Sequence, residues 1–402
     1  RKMAEKFNHD DFRIALYYHY INIADCKHHA SFQKDLCIQL NLNGRIRVSP
    51  EGLNGVLSGP LISLQEYQSK VEADLDVTLD IKYCLLRTDL SLESQLFHDL
   101  SVKVTREIVS LYKSTNRPNV SSNYSSYDTP ISPDDPRLVS LEPSPHLTPH
   151  EWNQRLQKET SDTAILVDAR NVYESRVGYF HVEGIPTLLT NTRSYALLPD
   201  VLAASQDQLT GKNIYMYCTG GVRCERASVW LQTLLPASQC RIYQLDGGIQ
   251  RYLEQFGTRE TTINDATTIS TDTPSSIQTK DNEECLFRGK NFVFDPRRTD
   301  PMVGKQIVGQ CFVCRTSHDD YDNGKPPCQG NEPRCCKCRV LVLVCDICRE
   351  TVNLGGHPED KTKPNLYCGG DICKDEGNSV DFKILPLTWQ TKACCELSKS
   401  NC

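Results

Sequence analysis

A six-residue turn, Cys218-Thr219-Gly220-Gly221-Val222-Arg223, constrains this chain more than any other stretch. Before it, Ile214-Tyr215-Met216-Tyr217 is a short apolar run that reads as a buried strand. After it, Glu225 to Leu235 has the spacing of an amphipathic helix. The sulfur of a cysteine at such a junction faces a helix N-terminus. Loop amides and the helix dipole there favour thiolate over thiol. Gly220 and Gly221 let the backbone curl around the sulfur, and Arg223 adds a fixed positive charge. A buried structural cysteine on a tight turn is the plainer reading, but it leaves the joint presence of Cys, Gly-Gly and Arg unexplained. Four residues, Thr219 to Val222, separate sulfur from guanidinium. A ring that small suits one sulfur or oxygen atom added to Cys218 better than a phosphoryl group.

The loop resembles that of the rhodaneses, and its flanks agree. Ala164-Ile165-Leu166-Val167-Asp168-Ala169-Arg170 looks like the early rhodanese strand with its Asp-x-Arg ending. Tyr173-Glu174 and Val177 to His181 look like the segment after it, and Tyr243 to Ile249 like the last strand and its Gly-Gly turn. The resemblance implies that Asp168 and Arg170 brace the loop rather than react.

Length allows two or three domains: the chain has 402 residues. No apolar run of membrane-spanning length occurs, so no membrane partner is expected. The N-terminal residues lack the apolar stretch of a secretory signal. Net charge is −6, which argues against bulk electrostatic capture of nucleic acid but leaves room for a local basic patch. Of 20 cysteines, thirteen lie between Cys311 and Cys402. A reactive thiolate beside paired cysteines points to a reducing cytoplasm and metal rather than a disulfide scaffold.

Two polar stretches divide the chain. Asn116 to Ser144 is rich in Pro and Ser, and Thr258 to Glu284 in Thr, Ser, Asp and Asn. The expected architecture is multidomain α/β. Residues 1–115 form a ferredoxin-like α+β sandwich and 148–257 a rhodanese α/β domain with a parallel sheet. Residues 285–402 form a cysteine-rich zinc-binding region; 116–147 and 258–284 are linkers. In the first part, strands at 14–20, 44–49, 55–59 and 78–85 with helices at 28–40 and 64–74 give β-α-β-β-α-β. Pro50 to Gly55 is a hairpin turn or a substrate-contacting loop, with Arg45, Arg47 and Asn54 as candidates to meet RNA. Leu100 to Val109 reads as a charged, extended bridge. Thr148 is an N-cap with Pro149 at N1.

In the last part, Phe287 to Asp295 is strand-like, and knuckles follow at Cys311/Cys314, Cys335/Cys336/Cys338, Cys345/Cys348 and Cys368/Cys373. Thiolates two residues apart on a turn reach one tetrahedral zinc, so four knuckles make two structural sites. The expected ligands are Cys311, Cys314, Cys335, Cys338, Cys345, Cys348, Cys368 and Cys373, paired alternately, first knuckle with third. No organic cofactor is evident. From Cys285 to Arg349 the local charge is +4 with Phe287, Phe292, Phe294 and Phe312 interleaved. Arg288, Lys290, Arg297 and Arg298 are candidate RNA contacts; a solvated face around the metal is the alternative.

The three-part order resembles the rhodanese-like tRNA uridine hydroxylases. The matching runs are Gly44 to Gly55, Val102 to Val109, Cys218 to Ser228 and Phe292 to Asp295, with the knuckles beyond. The two polar stretches look like insertions and suggest a eukaryotic-type member. The resemblance implies oxygen-dependent 5-hydroxylation of a wobble uridine in tRNA, with Cys218 essential and Arg223 stabilising its anion. Cys224, beside the loop, is either a resolving thiol or a core residue at the first position of the helix. Two other readings stay open. One is a sulfurtransferase carrying a persulfide on Cys218 from a small-molecule sulfur donor. The other is a zinc-dependent RNA- or protein-binding module without activity.

Overall fold

Along Phe12–Tyr20, apolar side chains fall on both faces of one strand, and that double-sided pattern organises the N-terminal region. The computed structural model describes residues 9–364 except 89, 112–141, 236–239, 260–283, 305, 313, 322–332, 336–338, 352–355 and 358–359. Strands β1 (Phe12–Tyr20), β2 (Asn43–Ser49), β3 (Gly52–Pro60) and β4 (Lys82–Cys84) interleave with helices Cys26–Gln39 and Leu61–Leu75 in the expected order. The fifth strand, β5 (Leu100–Val104), lies parallel to β2 with Ile46 opposite Val102. The segment read as a bridge is therefore the edge of a sheet ordered β4-β1-β3-β2-β5. The hairpin turn is also tighter than the sequence suggested: Ser49 pairs with Gly52, leaving only Pro50 and Glu51 between the strands. The closing strand is limited to Lys82–Cys84.

Strand alternation divides β1 between two partners. Ala15 and Tyr17 point into a core with Leu36, Cys37, Leu64, Tyr67 and Val71 of the two helices. There the Tyr17 and Tyr67 hydroxyls are 2.6 Å apart, and Tyr67 donates to Gln33 at 2.6 Å. Leu16, Tyr18 and Tyr20 take the opposite face, toward the middle of the chain.

The middle region is a five-stranded sheet with every pairing parallel, ordered β6-β11-β10-β7-β9. Its strands are β6 (His146–Leu147), β7 (Ala164–Asp168), β9 (Thr187–Leu189), β10 (Asn213–Tyr217) and β11 (Arg241–Leu245). Both faces are covered, as nearly unbroken apolar strands require. Ile165, Val167, Ile214 and Met216 pack on one side, and Leu166, Tyr215, Tyr217 and Leu245 on the other. Thr148 caps the helix Pro149–Leu156 in a full capping box with Glu151.

The last region is stitched to the middle. Strand β13 (Phe287–Phe292) pairs antiparallel with β8 (Gly178–Phe180), and β14 (Thr299–Val303) and β12 (Thr258–Arg259) extend that sheet. The pairing needs Gly178: a Cβ there would lie 2.4 Å from the Lys290 carbonyl oxygen. Most of both polar stretches, with Cys328, Cys336, Cys338, Cys368, Cys373, Cys394, Cys395 and Cys402, falls outside the described residues. Among the described residues, no helix is long and apolar enough to cross a membrane.

Candidate active site

The end of β10 and the start of the helix Val222–Leu234 place Cys218 as the sequence predicts. Gly221 is the N-cap with φ of 105°, a conformation open mainly to glycine. Its N–H lies 3.2 Å from Cys218 Sγ. Burial pushes the Cys218 thiol up. The Cys224 thiol, the Arg223 charge and the Cys224 and Arg223 amides outweigh it and bring the pKa down to about 5. A thiol with a pKa that low is a thiolate at neutral pH. That sulfur is nevertheless closed off from solvent: Cys218 is 0% exposed.

Two neighbours that the loop sequence does not reveal account for that burial. Above the loop lies the outer face of β1. A Cβ on Gly220 would meet Leu16 Cδ2 at 2.9 Å, and one on Gly221 would meet the Tyr18 hydroxyl at 2.7 Å. Tyr18 donates to Glu225 at 2.9 Å, and Tyr20 donates to the Val222 carbonyl at 3.4 Å. Glu225 also meets His146 at 2.9 Å, which raises the His146 pKa. Glu51, on the tight turn between β2 and β3, pairs with Arg226 at 2.6 Å and accepts from the Ile108 amide at 2.8 Å. That turn grips the helix behind the cysteine.

Behind the loop lies Glu174. Arg223 donates to both its carboxylate oxygens, at 2.8 and 2.7 Å, and to Thr219 Oγ1 at 2.9 Å. Arg223 therefore acts on the sulfur through its charge while its N–H groups hold the loop in shape. Cys224 is at the third helical position, 1% exposed, with its pKa raised by burial and by the Cys218 anion. Asp168 and Arg170 are fully buried and bonded to each other at 2.9 and 2.7 Å; Arg170 also donates to the Gly178 carbonyl at 2.6 Å. They join β7 to β8 beneath the loop.

Known proteins match this chain over most of its length. Residues 12–108 match the UPF0176 acylphosphatase like domain and 288–355 the rhodanase C-terminal domain. A tRNA uridine(34) hydroxylase of Staphylococcus haemolyticus is 35% identical over 373 residues, covering 91% of this chain and 94% of its own. The chain belongs to the tRNA uridine(34) hydroxylase family. A member from Corynebacterium efficiens is 28% identical over 364 residues, 90% of this chain and 93% of its own. Rhodanese-like domain-containing protein 6 of Arabidopsis thaliana is 33% identical over 387 residues; the match covers 94% of this chain but only 55% of that protein.

Within this family member the knuckles pair as predicted, first with third. The sulfurs of Cys311, Cys314, Cys345 and Cys348 all lie within 4.8 Å of one another, with Cys314 and Cys345 3.6 Å apart. Four sulfurs about 2.3 Å from a tetrahedral ion stand about 3.8 Å apart, so the cluster fits a metal with little movement. The Thr316 hydroxyl and amide hold Cys314 down to about 6, while burial raises Cys345 and Cys348. Cys335 is buried near this cluster; Cys338, Cys368 and Cys373, needed for the second expected site, lie outside the described residues.

The predicted RNA contacts divide differently. Arg297 is 0% exposed, clamped bidentately on Asp295 at 2.9 and 2.8 Å. Lys290 is buried against Asp319 at 3.3 Å. Neither can meet a phosphate, because each is an internal counter-charge. Arg45 pairs with Asp99 at 2.7 Å, and Arg47 and Asn54 both donate to the Ile108 carbonyl, at 3.5 and 3.1 Å. Arg288 donates to the Cys285 carbonyl at 3.0 Å. Arg298 lines a cavity shared with Arg193, Arg334, Arg339, Tyr173, Phe292 and Phe294.

Proposed function

We propose that this protein hydroxylates a uridine at the wobble position of tRNA, with Cys218 as the nucleophile. The observation that carries the reading is a thiolate, with pKa near 5, set in a chain that aligns over nine-tenths of its length with tRNA uridine(34) hydroxylases. The net reaction replaces the C5–H of uracil by C5–OH, a two-electron oxidation in which dioxygen is the oxidant. One oxygen atom enters the base, and the other leaves as water at the expense of an external two-electron donor. A thiolate serves it by adding to C6 of the ring or by carrying oxygen as a sulfenic acid. Arg223 keeps the sulfur anionic between turnovers, and Glu174 keeps Arg223 in place. Because Cys218 is fully buried, uridine reaches it only after Leu16 and Tyr18 withdraw from the loop. We assign zinc to the four-cysteine cluster, as a structural ion joining the Cys311–Cys314 turn to the start of the helix Asp346–Thr351. The setting we assign is the reducing cytoplasm, where a thiolate of this kind persists.

The test is nucleoside mass spectrometry of tRNA from cells lacking the protein, complemented with wild type or Cys218→Ser. Wild type restores 5-hydroxyuridine-derived nucleosides and Cys218→Ser does not. Unchanged nucleosides across all three strains refute the reading.

A further inference from the structure

A cavity of about 290 Å³ adjoins the rear of the Cys218 loop. Arg193, Arg298, Arg334 and Arg339 line it together with Tyr173, Phe292 and Phe294. It touches the loop at two points. The Phe292 carbonyl oxygen lies 3.4 Å from Thr219 Oγ1, and the Phe294 ring lies 5.5 Å from the Arg223 guanidinium carbon. Tyr173 also precedes Glu174, the partner of Arg223. Phe294 is 48% exposed, although a phenylalanine ordinarily hides its ring. Arg298 and Arg339 both adopt positive φ, 60° and 62°. Non-glycine residues hold that conformation at a cost, and such outliers gather at ligand sites.

We propose that this cavity is a nucleotide subsite, which holds one unstacked nucleotide of the RNA beside the uridine that reacts. The proposal rests on the tRNA reading above and names where the strand is gripped. Four arginines converging on one cavity suit phosphate oxygens. The exposed ring of Phe294 suits a splayed base, the usual way single-stranded loops are held. The volume sits at the low end of ligand pockets, about 300–1,000 Å³, and so admits one nucleotide unit rather than a helix. An enzyme that draws one base out of a stacked loop gains from a fixed grip on its neighbour.

The experiment measures binding of a synthetic anticodon stem-loop with uridine at the wobble position, by fluorescence anisotropy across a salt series. The protein is the full chain carrying Cys218→Ser, which prevents turnover. Arg193→Gln and Arg339→Asn each remove one charge; asparagine accepts the positive φ of Arg339. Each is expected to weaken binding several-fold at low salt and to lower the slope of log K against log salt by about 0.7. Phe294→Ala is expected to weaken binding about tenfold at every salt concentration with the slope unchanged. If the parent protein binds the stem-loop and all three variants bind it equally well with the parent's slope, the cavity is not the subsite and the tRNA reading stands. If the parent protein binds no stem-loop, both fall. In a Cys218-containing background, an unchanged thiolate titration in Arg193→Gln and Arg339→Asn shows that the loop is intact.

Discussion

The chain holds thiolates in two places by opposite means. At Cys218 the fold itself supplies what the anion needs: a strand-to-helix turn aims amides at the sulfur, and a buried guanidinium lies behind it. At Cys311, Cys314, Cys345 and Cys348 four sulfurs converge, with only Thr316 among the causes lowering Cys314 as a non-cysteine neighbour. Each anion formed there raises the cost of the next, so a cation is required to bring all four to thiolate. One site is an anion stabilised by its own fold; the other is four sulfurs that could hold a metal ion. Their surroundings match the difference. The Cys218 loop sits in a core of Ile165, Val167, Ile214 and Met216 between helices. The cluster sits beside Val340, Val342 and Val344 with little regular structure around it.

The largest expected effect follows from that contrast. Removing metal with a chelator withdraws binding free energy that is also folding free energy, about 10–16 kcal/mol for small structural zinc sites. Hydrogen exchange at the amides of Val340 to Val344 is expected to lose its protection, while the Cys218 thiolate still titrates near pH 5. Loss of the low Cys218 pKa on chelation would mean that the two sites are not independent, and that the cluster helps to organise the loop through Tyr173 and Phe292. Since Arg334 and Arg339 belong to the segment between the two knuckles, chelation also tests whether the cavity depends on the ion.

Removing one member of the buried ion pair comes next. Glu174 is 0% exposed, and Arg223→Gln leaves its charge without a counter-charge, at a cost of about 3–5 kcal/mol. The same change raises the Cys218 pKa, because the Arg223 charge is one of the causes that lower it. The sign of the pH dependence follows. The folded pKa of Cys218, about 5, lies below its ordinary value of 9.0. The thiolate therefore contributes stability that is complete above the ordinary value and is lost as pH falls through the folded one. Denaturant titrations are expected to show the wild type weakening from pH 9 to pH 5, with a flatter slope in Arg223→Gln and flatter still in Cys218→Ser. Equal slopes in all three proteins would place the thiolate's stabilisation elsewhere.

Legibility in the sequence tracked how local each device is. The loop, the first and third knuckles and the capped helix at Pro149 are short contiguous patterns, and each formed where the residues indicated. Glu174 lay in a recognised segment but gave no sign of its bond to Arg223, because only the parallel pairing of β7 with β10 brings them together. The covering of Cys218 by β1 was hidden for the same reason: Leu16, Tyr18 and Tyr20 read as one face of a strand, with no indication of what that face meets. Arg297 was open to a better reading. Asp295-Pro-Arg297 repeats the spacing of Asp168-Ala-Arg170, and in both the arginine Nε lies 2.9 Å from the aspartate Oδ1. The brace inferred for the first pair applied equally to the second, and would have removed Arg297 from the RNA contacts.

The smallest effect probes how the reactive thiolate is covered. Tyr18→Phe deletes the hydroxyl that bonds Glu225 and leaves the ring over Gly221. Glu225 keeps His146 at 2.9 Å and Gln244 at 3.4 Å, so the loss is near that of one ordinary hydrogen bond, about 1 kcal/mol. That shifts the balance between covered and uncovered loop by about fivefold. Iodoacetamide is therefore expected to alkylate Cys218 about fivefold faster in Tyr18→Phe. The pH midpoint of the reaction is expected to stay near 5, since Tyr18 is not among the groups that set it. A faster rate with a fixed midpoint separates access from activation: the N-terminal sheet governs when the sulfur is reached, and the loop governs what it is. An unchanged rate would mean that reagent reaches Cys218 by a path that β1 does not cover, and the site would then resemble the metal cluster more closely, open at one side and defined by its own ligands.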